Sequence, residues 1–146
     1  MDLEKIPSFS AADVSVIIHA TEDEDKVLES ICGILSVDAK WFRHTESTGH
    51  WGNRISLMTG SLESAEANRL VEKILSSLSS VERNQLSNLS HSITDEKGNL
   101  YLRLDKQRIC QKRVALSETD SIRVRFKPAR RSRDDHNHDY CQQRGL

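Results

Sequence analysis

The sequence predicts an α+β fold in which a mostly antiparallel sheet carries helices on one face, in the order β-α-β-β-α-α-β-β-β. Two patterns support this prediction. Apolar and polar residues alternate in several short segments, as in strands with one buried side. In other segments apolar residues recur every three or four positions, as on the buried stripe of a helix. Glycine, asparagine and proline separate many of these segments, which is typical of turns.

The first two predicted elements are a strand and a helix. Val14, Val16 and Ile18 lie on one side of the strand, and the other side is mixed. Thr21 and Glu24 have the spacing of a capping box, which predicts that a helix begins there. Its helical stripe consists of Val27, Leu28, Ile31, Ile34 and Leu35.

The middle of the chain predicts a hairpin followed by two helices. Phe42 to Leu62 reads as two extended segments around a glycine loop at 49–53. A helix that starts near Ser61 or Ser64 explains the spacing of Ala67, Leu70, Val71, Ile74, Leu75 and Leu78. Ser79 and Glu82 form a second capping box, which begins a weaker helix with Leu86, Leu89 and Ile93 on one side.

Three strands complete the predicted sheet. After a turn at 96–99, one face of the first carries Leu100, Leu102 and Leu104, and the other carries Tyr101, Arg103 and Asp105. The segment from Arg108 to Leu116 is expected to turn and re-enter the sheet through Val114 and Leu116. In the last strand Ile122, Val124 and Phe126 alternate with Arg123, Arg125 and Lys127, and Pro128 ends it.

Length and composition indicate one domain with polar ends. The chain has 146 residues, 36% of them hydrophobic, and a mean hydropathy of −0.58. We expect an N-terminal extension over 1–12, a single domain over 13–128 and a disordered tail of basic and mixed charge over 129–146.

Targeting signals and cysteine usage indicate the compartment. The longest apolar run, Val14 to Ala20, is too short to span a membrane, and the first ten residues lack the regions of a signal peptide. Three cysteines without a CxxC pair indicate neither a disulfide framework nor a zinc ribbon. We therefore expect a reduced, cytoplasmic protein without a membrane partner.

Positive charge is concentrated between Lys97 and Arg133. This segment contains twelve Lys or Arg and three acids, although the whole chain has a formal net charge of −1. The remainder of the chain is therefore acidic. A stretch of one sign attracts polyanions and is typical of nucleic-acid binding.

Strand pleating predicts where part of this charge lies. If the apolar residues of the two basic strands meet the helices, one surface on the opposite side collects Tyr101, Arg103, Arg123, Arg125 and Lys127. Such a surface can neutralise phosphates and stack an unpaired base, so we expect it to bind RNA, single-stranded or structured. The alternative is that these cations only prevent edge-to-edge pairing of strands. The lack of nearby acids in the sequence favours the polyanion site.

Four segments of the chain form a specific combination: His19 to Val27, Gly49 to Asn53, Gly98 to Gln107 and Asp120 to Arg125. In this order they resemble an archaeal family described as predicted RNA-binding exosome subunits, and the resemblance covers about Val14 to Lys127. It implies an α+β fold similar to that of ribosomal protein L five. This fold was once described as similar to a double-stranded-RNA-binding domain. It also implies an accessory role in the RNA-degrading exosome, with exosome or ribosome-related proteins as partners.

The resemblance also implies further candidate contacts for RNA. The matched polar positions are His50 and Asn53 in the glycine loop, and Arg103, Asp105, Lys106 and Gln107 after the first basic strand. Asn53 could instead fix the loop, and Asp105 is expected to orient neighbouring cations. Trp51 lies between glycines, which favours an exposed ring that can stack on a base.

Candidate catalytic groups lack a supporting pattern. His19, His44 and His50 lie on different predicted elements without HxH or HxxxH spacing. We therefore expect no enzymatic activity, no cofactor and no metal site. The alternative function is a scaffold subunit that docks an acidic protein partner on the basic face.

Overall fold

The computed structural model describes residues 8–49, 51–88 and 94–129. Its strands are β1 (Phe9–His19), β2 (Phe42–Thr48), β3 (Arg54–Glu63), β4 (Leu100–Asp105) and β5 (Ser121–Pro128). Its helices are α1 (Glu24–Leu35), α2 (Ser64–Ser77), α3 (Ser80–Asn88) and α4 (Lys106–Cys110), with a 3-10 turn at Ala39–Trp41. The predicted α+β class is confirmed.

The five strands form one sheet in the order β2-β3-β1-β5-β4, and every neighbouring pair is antiparallel. β1 lies in the centre, so the first strand of the chain is paired on both sides. Val14 lies opposite Gly60 of β3 and Val124 of β5. The registers therefore determine which residues share a face of the sheet.

Helices cover one face of this sheet. Alternate residues of β1, β4 and β5 are buried, and they share one hydrophobic core with the apolar stripes of α1 and α2. The rings of Phe9 and Phe126 lie 5.2 Å apart in that core. The predicted strand patterns therefore mark the buried side correctly, because alternation alone determines it.

The structure differs from the prediction after β4. The expected strand through Val114 and Leu116 is absent from the described residues, where Leu116 makes only an isolated bridge to Leu104. The short helix α4 comes first, since the Asp105 side chain accepts a hydrogen bond from the Arg108 backbone N–H at 3.0 Å. Asp105 is therefore the cap of a helix and not an orienter of neighbouring cations.

The two predicted capping boxes have different outcomes. The box at Ser79 and Glu82 is confirmed, since the Glu82 N–H donates to Ser79 Oγ at 3.2 Å and the Ser79 N–H donates to Glu82 Oε1 at 3.4 Å. The box at Thr21 and Glu24 is wrong. Asp23 caps α1 instead, by accepting from the Lys26 N–H at 3.2 Å. A run of four acids offers several capping registers, and tertiary contacts select one.

The predicted domain limits are partly corrected. β1 begins at Phe9, so Phe9 to Ala12 belong to the sheet and not to an extension. Leu89, Ile93 and the predicted tail after Ala129 lie outside the described residues. Within the described part of the chain, no helix is long and apolar enough to cross a membrane.

Candidate nucleic-acid interface

The outer face of the sheet, the side opposite the helices, carries a continuous row of polar residues. Strand registers place five residues side by side across all five strands, from β2 to β4: Arg43, Thr59, Ser15, Arg123 and Arg103. The next row contains Ser61, Asp13, Arg125 and Tyr101. Four of the five residues predicted to form this surface therefore lie in two adjacent rows, and Lys127 lies beyond them opposite Ala11.

Two arginines face each other directly on this surface. Arg103 of β4 and Arg123 of β5 are register partners, and both side chains are exposed. Within the described residues, neither guanidinium has a carboxylate within 4.0 Å. Like charges at directly opposite positions destabilise a strand pair, so the pair gains from an anion placed between them.

The other two cations of β5 have a partner. Arg125 hydrogen-bonds to Asp13 Oδ2 on the neighbouring strand, and Lys127 Nζ lies 3.8 Å from the same carboxylate. The prediction that these cations lack local compensation is therefore wrong for Arg125 and Lys127. Asp13 lies 112 residues from Arg125 in the chain, so only the pairing of β1 with β5 brings them together.

Tyr101 is held at the side of the arginine pair. Its side chain is 41% exposed, and its hydroxyl donates to Asp95 Oδ2 at 2.8 Å. This hydrogen bond, followed by partial burial, raises the pKa of Tyr101. Asp95 also accepts from the backbone N–H groups of Lys97 and Asn99, so the turn before β4 fixes the ring.

Lys106 was predicted to contact RNA, but it does not lie on this surface. It is fully buried, and its ammonium donates to Ile17 O at 2.9 Å and to Glu22 Oε1 at 2.7 Å, with Asp120 Oδ1 at 2.9 Å. A buried and saturated ammonium cannot reach RNA. Lys106 therefore joins the end of β1 to the start of β5.

Among the described residues, the same cluster contains the one candidate set of metal ligands. His19, Glu22 and Asp120 offer ligand atoms within 4.8 Å of one another. Both carboxylates, however, already bind the Lys106 ammonium, which supplies the positive charge they require. This chemistry indicates a structural ion pair.

Three further predicted contacts lie elsewhere. Gln107 is exposed on α4, which packs against α1 on the helix-covered side of the sheet. Trp51 is 85% exposed, and Asn53 lies in the same loop, where its carbonyl accepts from the Gly49 N–H at 2.6 Å. His50 lies outside the described residues.

The glycine loop is remote from the arginine pair. It joins β2 to β3, and β2 and β4 are opposite edges of the sheet. Four strand spacings separate these edges, which is about 19 Å. The predicted site therefore divides into a sheet cluster around Arg103 and Arg123 and a separate loop that presents Trp51.

Arg43 is a surface residue that sequence reasoning missed. It is exposed on the outer face of β2, in the same row as the arginine pair. The alternation of residues in β2 could have identified it, because alternation places Arg43, Thr45 and Ser47 on one side of the strand. Arg43 extends the positive row toward the far edge.

Comparisons with known proteins identify the family to which the sequence is similar. A family model described as RNA binding matches residues 11–128. A Pyrococcus abyssi protein that bears the name RNA-binding protein is 32% identical over 120 residues, which cover 78% of each chain. An uncharacterized protein of Methanocaldococcus jannaschii is 35% identical over 101 residues, which cover 65% of this chain and 67% of that one.

Solved structures share the fold. A DUF54 protein from Methanothermobacter thermautotrophicus superimposes with a TM-score of 0.77 at 21% identity, covering 95% of this chain and 99% of that one. A DUF54 protein from Sulfolobus solfataricus gives 0.70 at 26% identity, covering 92% and 98%. Because the family model and the Pyrococcus relative both span most of the sequence, this chain belongs to the RNA-binding family.

Proposed function

We propose that this protein binds RNA without catalysing a reaction, through phosphates held on the outer face of the sheet. The single observation that supports this most strongly is the facing pair Arg103 and Arg123. Among the described residues, no carboxylate lies within 4.0 Å of either guanidinium. Arginine pairs recognise phosphate oxygens in a fixed geometry, and a bound phosphate would remove the repulsion between them.

Tyr101 supports a second contribution in the proposal. Its ring lies on the same face as the pair, next to Arg125, and is held by Asp95. A fixed and partly exposed ring can stack on an unpaired base with little loss of conformational entropy. The proposed ligand is therefore RNA with an accessible single-stranded segment.

The proposal includes an accessory role alongside the RNA-degrading exosome or ribosome-related proteins. It rests on the resemblance of the four sequence segments, whereas the RNA-binding proposal also has the geometry of the sheet. The exposed arginine pair would be free to hold RNA only if such a partner bound a different surface.

The test is a salt titration of binding to a single-stranded RNA oligomer. Each phosphate contact contributes about −0.7 to the slope of log K against log salt. Arg103→Ala/Arg123→Ala is therefore expected to reduce the slope magnitude by about 1.4. Tyr101→Leu is expected to weaken binding by about 1 to 3 kcal/mol if the ring stacks on a base.

The matched control removes the same charge from elsewhere. Lys26 and Arg69 are exposed cations on α1 and α2, so Lys26→Ala/Arg69→Ala should leave the slope near that of the wild type. An equal loss in both double variants would show that only net charge matters. No RNA binding by the wild type at low salt, together with binding of an acidic protein, would replace the proposal with the scaffold alternative.

A further inference from the structure

A second group of cations surrounds a cleft on the helix-covered side. The cleft has a volume of about 680 Å³ and lies between the C-terminal half of α1, the end of α2, the start of α3 and the loop after α4. Its lining includes Lys73, Arg108, Lys112 and Arg113. All four are exposed, so their charges are accessible from solvent.

These four cations lack acidic partners within the part of the chain that the structure describes. None of them has a carboxylate within 4.0 Å there. The cleft contains one acid, Glu82, whose oxygens accept from Ser79 Oγ at 3.2 Å and from the Leu116 N–H at 2.8 Å. Glu82 therefore braces the wall of the cleft, and the positive charge is left in excess.

The loop geometry holds two of these arginines at one rim. Lys112 adopts a φ of 64°, and the Arg113 N–H donates back to Arg108 O at 2.8 Å. This left-handed turn reverses the chain after α4, so that the backbone of Arg113 lies beside that of Arg108. The two guanidinium groups are therefore attached to a backbone that is already folded tightly.

The same loop continues along the edge of the sheet. The Asp105 N–H donates to Ala115 O at 2.8 Å, and the Ser117 N–H donates to Arg103 O at 3.0 Å. Arg103 lies on the outer face and Arg113 lines the cleft, so this short loop connects the two groups of cations. The intervening residues 114–117 carry no charge, so this segment places no acid between the two groups.

We infer that the cleft is a second phosphate-binding site, which takes the backbone of an RNA strand that passes from the outer face around the β4 edge. This inference rests on the proposed function, because it takes RNA as the polyanion. RNA is favoured over an acidic protein because the cleft lining holds four exposed cations and one acid that is already hydrogen-bonded, and because its loop is bonded to the strand that carries Arg103.

The first experiment measures the binding of four double variants and one quadruple variant to a single-stranded RNA of about 16 nucleotides, the upper end of the site sizes of OB folds that bind single strands. Arg108→Ala/Arg113→Ala is expected to reduce the magnitude of the salt slope by about 1.4, as Arg103→Ala/Arg123→Ala does. Combining all four changes should remove about 2.8. Lys26→Ala/Arg69→Ala is again the matched control, and Arg108→Gln/Arg113→Gln repeats the test with longer side chains.

The second experiment locates the contact. In an amide NMR titration with an oligomer of about 4 nucleotides, the short end of that range, the wild type should show shifts at Val114 and Ala115 and also at Val124. The cleft variant should lose the first two shifts and keep the third. This readout separates a cleft contact from a general loss of charge.

The outcomes are distinct for the two proposals. If the cleft variant binds the longer RNA like the wild type while the Arg103 and Arg123 variant is weakened, the second site is wrong and the proposed function stands. If neither variant differs from the charge-matched control, both are wrong. Binding of an acidic peptide at Val114 and Ala115, without any RNA shift there, would also overturn the inference.

Discussion

At the residue scale, Lys106 shows how a cation that resembles a ligand contact in sequence becomes a structural group. Lys106→Met would leave Glu22 and Asp120 facing each other, and Ile17 O without its donor. Removing one partner of a buried pair costs about 3 to 5 kcal/mol, and the lower end applies because the Asp120 side chain is 46% exposed. Urea unfolding of the variant measures this loss.

A control variant and a rescue variant test whether the loss of stability comes from the buried ion pair of Lys106. Lys26→Met, at an exposed position on α1, is expected to change the free energy of unfolding by less than about 0.5 kcal/mol. Lys106→Met/Asp120→Asn should recover part of the loss, because it removes the repulsion between the two carboxylates. An unchanged stability of Lys106→Met would contradict the buried ion pair.

Tyr101 provides a prediction that depends on pH. The hydrogen bond to Asp95, burial and the Asp95 charge raise the pKa of Tyr101, while Arg125 lowers it by a smaller amount. Asp95→Asn is therefore expected to lower the pKa of Tyr101. Ultraviolet titration in a Tyr140→Phe background measures it, since the chain has two tyrosines.

The sign of the linked stability follows from this direction. A phenol whose pKa is higher in the folded state stabilises the fold below its unfolded pKa, and the contribution is lost as pH rises through the folded value. As pH rises through the Tyr101 pKa, the free energy of unfolding of the wild type should therefore fall. The fall should be smaller in Asp95→Asn, which lacks this hydrogen bond. A Tyr101 pKa that does not move in Asp95→Asn would show that the hydrogen bond is not made in solution.

At the element scale, the pairing of β4 with β5 places Arg103 opposite Arg123. Arg123→Thr removes this repulsion and keeps a residue that favours strands, so it should stabilise the RNA-free protein by about 0.2 to 1 kcal/mol. The gain should shrink at high salt, because exposed charges are screened. Thermal or urea unfolding without RNA measures both effects.

Arg125→Thr is the matched variant on the same strand. Arg125 contacts Asp13, so its removal should leave stability unchanged or lower, whereas Arg123→Thr raises it. The same direction of change in both variants would mean that the register pair carries no repulsion. This contrast tests whether Arg125, which contacts Asp13, differs from Arg123, which has no carboxylate within 4.0 Å among the described residues.

At the scale of the whole molecule, the basic residues of the C-terminal third differ in role: Arg125 and Lys127 contact Asp13, and three further groups are distinct from them. One lies on the outer face at Arg103 and Arg123, one surrounds the helix-side cleft, and Lys106 is buried in an ion pair. The loop after α4 connects the two accessible groups, because it is hydrogen-bonded to β4 and also lines the cleft. A single strand of RNA could therefore contact both, which is the arrangement that the proposals test.

The order of residues along the chain was enough to assign the faces of β1, β4 and β5, because alternation of apolar and polar residues needs no knowledge of neighbouring strands. It also identified the helical stripes and the Ser79 capping box, which depend on contacts three or four residues apart.

Which charges are neutralised depends on the folded arrangement of the strands and helices. Asp13 neutralises Arg125 across 112 residues of sequence, and Lys106 is buried because α4 turns it toward the end of β1. Both outcomes depend on which strands are neighbours in space. Charge pairing is a short-range property of the folded molecule, whereas the sequence contains only the order of the charges along the chain.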